Sequence, residues 1–145
     1  MAKDSFSKEE KQQIEQAIKT AELKTSGEIQ VHLENHCKED VMDRAAHIFK
    51  VLKMHKTAER NGVLFYMAIK DHKFAILGDV GINQKVPDHF WDDIKEQMLL
   101  HFKKDEITKG LSKGIAMAGE QLSAHFPYQK DDDNELSDEI SFGKN

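Results

Sequence analysis

Six side chains that end in oxygen are the residues of this sequence best suited to chemistry. They are Glu28, Glu59, Asn61, Asp79, Asn83 and Asp88. Hard cations prefer carboxylate and amide oxygens, and calcium takes them from loops rich in Gly, Asp and Asn. The stretch Gly78-Asp79-Val80-Gly81-Ile82-Asn83 has this composition. The pattern predicts a site for calcium, or for another divalent cation such as magnesium.

Each of these residues also has a structural role open to it. Asp79 is suited to capping a turn, Asp88 to capping a helix and Glu28 to a surface ion pair. A metal site therefore requires that the six residues share one location in the fold. The acidic run of residues 131–135 is a second source of oxygen ligands if the chain ends near that location.

A cysteine phosphatase site is a competing hypothesis that the spacing argues against. Six residues separate Cys37 from Arg44, one more than the phosphate-binding loop of those enzymes has. Three of the six are acidic, Glu39, Asp40 and Asp43. They would repel a phosphate dianion and disfavour the thiolate that attacks it. Cys37 is therefore predicted to be a free, partly buried thiol.

Other motif classes are not matched by this sequence. It has eight histidines but no His-Glu-x-x-His and no cysteine pair, so zinc is not predicted. The glycines around Asp79 lack the remainder of a Walker or dinucleotide fingerprint. The net charge of −5 argues against a general nucleic-acid binder.

Length and composition indicate one globular domain. The chain has 145 residues, of which 39% are hydrophobic and 32% charged, and its longest apolar run is too short to span a bilayer. No secretory signal is visible before the first predicted helix, and one cysteine suits a reducing compartment. These features lead us to expect a cytoplasmic protein without a membrane span.

The first elements that would position the oxygens follow from sequence periodicity. Ser7 and Glu10 have the spacing of a capping box, which predicts that a helix begins there and ends before Gly27. From Glu28 to Glu34 polar and apolar residues alternate, which predicts a strand with one dry face and one polar face.

The middle of the chain predicts how the strand ends come together. A helix over residues 41–52 leads to the apolar run 63–69, which is typical of a strand buried on both faces. Such a strand, helix, strand crossover predicts parallel strands. The polar residues 70–73 then predict a hairpin that returns the chain over residues 74–77. In this topology the six oxygen-bearing residues lie at one end of the sheet.

Two further helices are predicted before the tail. Val86-Pro87-Asp88 is typical of a helix start, because proline suits the first turn. The last helix begins near Ile107 and ends before Pro127. Within it Gly110, Gly114 and Ala118 form a row of small residues that predicts close helix packing, in preference to a ligand groove.

The tail, residues 130–145, changes composition abruptly. It begins with the acidic run and continues with Ile140-Ser141-Phe142, which has strand chemistry. We therefore expect a single domain over residues 1–129. The acidic tail is expected either to remain solvated or to dock as a short strand on a sheet edge.

Several short motifs in this order resemble the TPM domain family. They are Thr25-Ser26-Gly27-Glu28-Ile29, Asn61-Gly62-Val63-Leu64, Gly78-Asp79-Val80-Gly81-Ile82 and the helix with Gly110-Leu111. The resemblance covers about residues 6–127. It implies an αβα sandwich, and members that bind divalent metals, act as acid phosphatases or modulate receptors. Many members also carry a signal peptide or a membrane helix, which this sequence does not show.

Together these observations predict an α/β fold, an αβα sandwich with a small mixed sheet flanked by about four helices. The predicted function is a divalent-metal-binding regulatory domain that uses calcium and acts on an unidentified protein partner. A metal-dependent phosphatase is an alternative, with Arg60 and Lys85 as its candidate cationic groups. A metal-independent interaction module is the third hypothesis.

Overall fold

The computed structural model describes residues 1–129 and 137–144, in which helices cover both faces of a mixed β-sheet. The strands are β1 (Glu28–Glu34), β2 (Gly62–Ala68), β3 (Lys73–Gly78) and β4 (Ser141–Phe142). The helices are α1 (Lys8–Glu22), α2 (Val41–Val51), α3 (Val80–Asn83), α4 (Asp92–Phe102) and α5 (Ile107–Ser123). Short 3-10 turns occupy Ala2–Ser5 and Met54–Lys56. The predicted α/β class is confirmed.

The sheet has the order β3-β2-β1-β4. β1 pairs in parallel with β2 and with β4, whereas β2 and β3 form an antiparallel hairpin. The larger hydrophobic core lies between the sheet and α1, α4 and α5, and a smaller core lies between the other face and α2. The predicted parallel crossover and hairpin are therefore confirmed.

Local sequence determines where α1 begins. The Ser7 side chain accepts the backbone N–H of Glu10 at 3.1 Å, and the Glu10 carboxylate accepts the N–H of Ser7 at 2.9 Å. This capping box satisfies two backbone donors that the first turn of a helix leaves unpaired. The predicted helix start is confirmed.

Three details differ from the sequence-based expectations. The polar face of β1 is buried like its apolar face, because α2 and the C-terminal residues cover it. Residues 80–83, predicted as loop, form the one-turn helix α3, which Asp79 caps. The helix predicted to start at Pro87 starts at Asp92, since residues 87–92 form successive turns, with Phe90 N–H donating to Pro87 O at 3.0 Å.

The row of small residues on α5 serves packing, as predicted. A Cβ on Gly110 would lie 2.5 Å from the Phe102 ring, and one on Gly114 would lie 2.4 Å from the sulfur of Met98. Both partners belong to α4, so these glycines let the two helices approach closely.

The end of the chain docks on the sheet. Ser141 and Phe142 form β4, which pairs with His32 and Leu33 of β1. The predicted docking strand is therefore present, whereas the acidic run of residues 131–135 lies outside the described residues.

Candidate functional site

The predicted convergence of strand ends occurs at the edge where β1 and β2 begin and β3 ends. Glu28 is in register with Gly62, and Val63 is in register with Gly78. The N–H of Glu28 donates to Asn61 O at 3.2 Å, and that of Asp79 donates to Gly62 O at 2.9 Å. The loops before β2 and after β3 therefore lie side by side.

Asp79 is the central carboxylate of this edge. It is buried, and Arg60 donates to both of its oxygens at 2.7 and 2.9 Å. One of the same oxygens accepts the backbone N–H of Val80 at 2.8 Å, which caps α3. The Arg60 side chain is 45% exposed, so a solvated guanidinium covers a buried carboxylate.

Glu59 and Asn61 are joined to this edge through Ser26. The Ser26 hydroxyl donates to Glu59 Oε2 at 3.1 Å, and the Asn61 amide donates to Ser26 O at 3.2 Å. We call Ser26, Glu59, Arg60, Asn61 and Asp79 the loop network. It contains three of the six predicted oxygen-bearing residues.

Gly81 brings the two loops of the network into backbone contact. Its N–H donates to Arg60 O at 2.9 Å. A Cβ at this position would lie 2.2 Å from Glu59 O and 2.5 Å from Arg60 O, closer than atoms can approach. Glycine is therefore required here for the close approach of the loops.

The remaining predicted residues lie around this network. Asn83 donates to Gly78 O at 3.2 Å, and Asp88 is exposed. Glu28 is buried, and its charge acts on Glu22 of α1. Within residues 1–129 and 137–144, no three His, Cys, Asp or Glu side chains are arranged to hold a metal ion. A cation at this edge would thus depend on one or two carboxylates, with carbonyl, amide and water oxygens completing its shell.

A family model described as the TPM domain matches residues 2–121, which is most of the chain. The chain belongs to the TPM domain family. No curated protein matches it. The resemblance inferred from the strand-end motifs is therefore confirmed.

Solved structures share the fold of this TPM domain. It is similar to the BA42 protein of the psychrophilic bacterium Bizionia argentinensis, with 47% identity over 95% of each chain and a TM-score of 0.91. The N-terminal domain of a P. gingivalis protein has 17% identity over 83% of this chain and 78% of its own, with a TM-score of 0.67. The N-terminal domain of the cg2496 protein of Corynebacterium glutamicum has 12% identity over 97% of this chain and 81% of its own, with a TM-score of 0.60. These last two similarities concern the fold alone.

A second polar cluster of the TPM domain lies at the opposite end of β1. Glu34 is fully buried, and Arg44 of α2 donates to both of its oxygens at 2.8 and 2.9 Å. The Tyr66 hydroxyl donates to the same carboxylate, and His32 Nε2 lies 3.1 Å from it. We call Glu34, Arg44, Tyr66 and His32 the Glu34 cluster.

The ionisation states of the Glu34 cluster follow from its contacts. Burial alone would raise the pKa of Glu34, but the hydrogen bonds from Arg44, Tyr66 and His32 outweigh it and lower the pKa to about 2. Burial lowers the pKa of His32, against the raising effect of Glu34. Burial and the contact with Glu34 raise the pKa of Tyr66. His32 is thus neutral at physiological pH, with the proton on Nε2 because ionised Glu34 can only accept.

The Glu34 cluster was not predicted from the sequence. The available signal was the alternation that places His32 and Glu34 on one face of β1, but it was interpreted as a solvated face. Burial of that face depends on the packing of α2, whose Arg44 contacts Glu34, and on C-terminal residues that are distant in sequence. Alternation along one strand does not reveal either contact.

Cys37 has the environment of a structural thiol, as predicted. It is 3% exposed, its sulfur lies 3.2 Å from Glu39 O, and it packs in the smaller core. Arg44 is ion-paired with Glu34. No phosphate-binding pairing of Cys37 with Arg44 is therefore present among the described residues.

This burial predicts slow modification of Cys37. In native protein, a thiol reagent such as dithionitrobenzoate should react at least about a hundredfold more slowly than in urea-unfolded protein, because reaction requires opening of the core. The rate is followed by absorbance. Equal rates in the two states would show that the thiol is accessible in the folded protein.

None of the helices among the described residues combines the length and the apolar character that crossing a membrane requires.

Proposed function

We propose that this TPM domain is a regulatory domain that binds a divalent cation, calcium in the first instance, at the loop network. The observation that carries the proposal is the buried Asp79 carboxylate, whose charge is balanced by the half-exposed Arg60 guanidinium. The Arg60 guanidinium can move into solvent, so a metal ion can take its place beside the buried Asp79 carboxylate.

The oxygen donors of the loop network support a hard cation. Asp79 and Glu59 supply carboxylates, Asn61 supplies an amide oxygen, and Ser26 supplies a hydroxyl. This set is short of the ligand number calcium prefers, so water would fill the remaining positions. Glu28 is not used, because it is not part of the loop network defined above. Asn83 and Asp88 lie outside the loop network and are not used as ligands.

The regulatory consequence would follow from the position of the ligands. Glu59 and Asn61 precede β2, whereas Asp79 follows β3. A cation held by both loops would stabilise one arrangement of this edge, which a protein partner of the domain could recognise. Such a partner, like the cytoplasmic location, remains a prediction.

Calcium is expected to stabilise metal-stripped protein against heat. A ligand that binds only the folded state and is present at a hundredfold excess over Kd adds about 2.7 kcal/mol to the free energy of unfolding. Asp79→Asn should remove most of this response. The matched variant Asp88→Asn removes the same charge from an exposed position and should retain it. Melting curves and amide spectra during a calcium titration provide the measurement.

Arg60→Gln tests whether the Arg60 guanidinium and the metal ion compete for the Asp79 carboxylate. If the guanidinium competes with the cation, its removal should tighten calcium binding by about two- to five-fold, the factor that corresponds to a partly exposed ion pair. The proposal is wrong if calcium, magnesium and manganese all leave the melting curve and amide spectra of the wild type unchanged. That outcome would favour a metal-independent interaction module.

A metal-assisted phosphatase is a second candidate, and the pairing of Arg60 with Asp79 favours it. Such an enzyme needs a cationic group beside its carboxylates to hold phosphate, and Arg60 has this position. Lys85 does not, because its ammonium lies 4.4 Å from the centre of the Phe126 ring. Hydrolysis of para-nitrophenyl phosphate that requires metal and is lost in both Asp79→Asn and Arg60→Gln would establish this candidate. Calcium binding without detectable hydrolysis in the presence of calcium, magnesium or manganese would exclude it.

A further inference from the structure

The C-terminal residues 137–144, which we call the strap, fill a groove beside β1. β4 pairs in parallel with β1, and the N–H of Gly143 donates to Leu33 O at 2.9 Å. On the other side of the groove, the N–H of Ile140 donates to Glu15 of α1 at 3.3 Å. The groove therefore lies between α1 and β1, and it already holds one extended segment.

Two successive side chains of the strap have specific partners in the groove. The Ser141 hydroxyl lies 2.8 Å from Nδ1 of the buried His32, and it donates there because the imidazole proton is on Nε2. The ring of Phe142 lies 6.5 Å from the ring of Phe6 and 5.6 Å from the ammonium of Lys11. The groove thus accepts a hydroxyl followed by an aromatic ring.

The next position of the strap requires glycine. A Cβ on Gly143 would lie 2.5 Å from Glu34 Oε1 and 2.8 Å from Glu34 Cβ. Hydrogen bonds from Arg44 and Tyr66 hold the carboxylate, and the backbone of β1 holds the Cβ, so neither can move aside. Strand edges recognise extended peptides in this way, with main-chain hydrogen bonds for affinity and side-chain positions for specificity.

The strap leaves one polar atom of the groove without a partner. Gln30 is 7% exposed and its amide donates to Ser137 O at 3.2 Å, but its Oε1 accepts no hydrogen bond from any described residue. A buried acceptor without a donor is costly. The parallel register that sets Ser141 beside His32 puts Glu139 at the level of Gln30. An ionised glutamate has acceptors but no donor, so it cannot satisfy this oxygen.

We infer that the groove is a docking site for an extended segment of another protein, and that the strap occupies it until such a segment displaces it. The segment would carry a donor side chain, any residue, a hydroxyl residue, an aromatic residue and glycine, in that order. A second copy of this chain would bring an identical strap, with the same unpaired acceptor and without the high effective concentration of an attached segment. Only a better-fitting segment can compete, which favours a different protein.

The first test compares fluorescein-labelled peptides that bind the full chain, measured by fluorescence anisotropy. One peptide has the sequence of the strap. The same peptide with Glu139→Gln gains an amide donor and should bind about three- to tenfold more tightly, as expected for one added hydrogen bond. The peptide that also carries Gly143→Ala should bind at least about tenfold more weakly than the Glu139→Gln peptide, because its methyl group would overlap Glu34.

Variants of the full chain test whether the strap occupies the groove. Gly143→Ala places the same overlap on the attached strap, so the groove becomes available. Since the apparent Kd rises with the fraction of protein that is not competent to bind, this variant should bind the Glu139→Gln peptide about tenfold more tightly than the wild type does. Phe142→Ala removes the ring without adding an overlap and should act in the same direction. Lys144→Ala, at an exposed position of the strap, should bind like the wild type.

The outcomes separate the possible occupants of the groove. The proposal is overturned if the Gly143→Ala and Phe142→Ala proteins bind no peptide, or if peptides with and without Gly143→Ala bind alike. It is also overturned if bound peptide leaves the amide resonance of Leu33, which faces the strap, unchanged. Equal binding of the strap and Glu139→Gln peptides, with concentration-dependent dimerisation of the wild type in sedimentation, would assign the groove to a second copy of this chain instead.

Discussion

Glu34→Ala is expected to reduce the free energy of unfolding by about 3–5 kcal/mol, which is the cost of removing one partner from a buried ion pair. The variant would leave the guanidinium of Arg44 without its acceptor, and the hydroxyl of Tyr66 and the imidazole of His32 without theirs. Burial of unpaired polar groups accounts for most of the loss. Urea unfolding followed by circular dichroism provides the measurement.

A double variant separates the cost of the unpaired charge from the cost of the lost side chain. Glu34→Leu combined with Arg44→Met replaces the ion pair by apolar groups of similar size, so it should be less destabilised than Glu34→Ala by about 1–3 kcal/mol. If the double variant is the less stable protein, the net contribution of the ion pair is larger than we infer.

The same carboxylate should make the stability depend on acid pH. The pKa of Glu34 is about 2 in the folded protein against an ordinary value of 4.5, so the unfolded chain takes up the proton first. Its stabilising contribution is fully present above the ordinary value and is lost as the pH falls towards the folded value. Between neutral pH and about pH 3, the wild type should lose stability more steeply than Glu34→Gln, which has no group to titrate there. Parallel curves would contradict this assignment.

Gly81→Ala is expected to destabilise the protein by about 1–3 kcal/mol or more, the range for overpacking a closely packed site. The new methyl group would overlap the carbonyl oxygens of Glu59 and Arg60, and backbone atoms cannot move aside as a flexible side chain can. The loops on either side of Asp79 would have to separate. Chemical denaturation measures the loss of stability, and a calcium titration of the folded variant should show weakened binding.

Gly27→Ala is the matched control for this prediction. Its Cβ would lie 3.5 Å from Leu122 and from Thr25, which is ordinary van der Waals contact. This variant should differ from the wild type by less than about 0.5 kcal/mol, as most uncrowded substitutions do. Equal losses in the two variants would show that Gly81 is not a special point of contact between the loops.

Local patterns in the sequence determined the elements and much of their topology. The Ser7 capping box, the alternation of β1 and the apolar run of β2 each depend on neighbouring residues, so periodicity was sufficient to predict them. The parallel crossover and the hairpin followed from connection lengths. From these, the meeting of Asn61 and Asp79 at one end of the sheet was predicted correctly.

Only the tertiary structure decided which charges are paired and buried. The interaction of Arg60 with Asp79 and that of Arg44 with Glu34 are set by side-chain distances that no period in the sequence encodes. The polar face of β1 looked solvated because residues 137–144, which contact it, are remote in sequence: the Gln30 amide meets Ser137 O across 107 residues. Burial and ion pairing are properties of long-range contacts, which form only when the whole chain has folded.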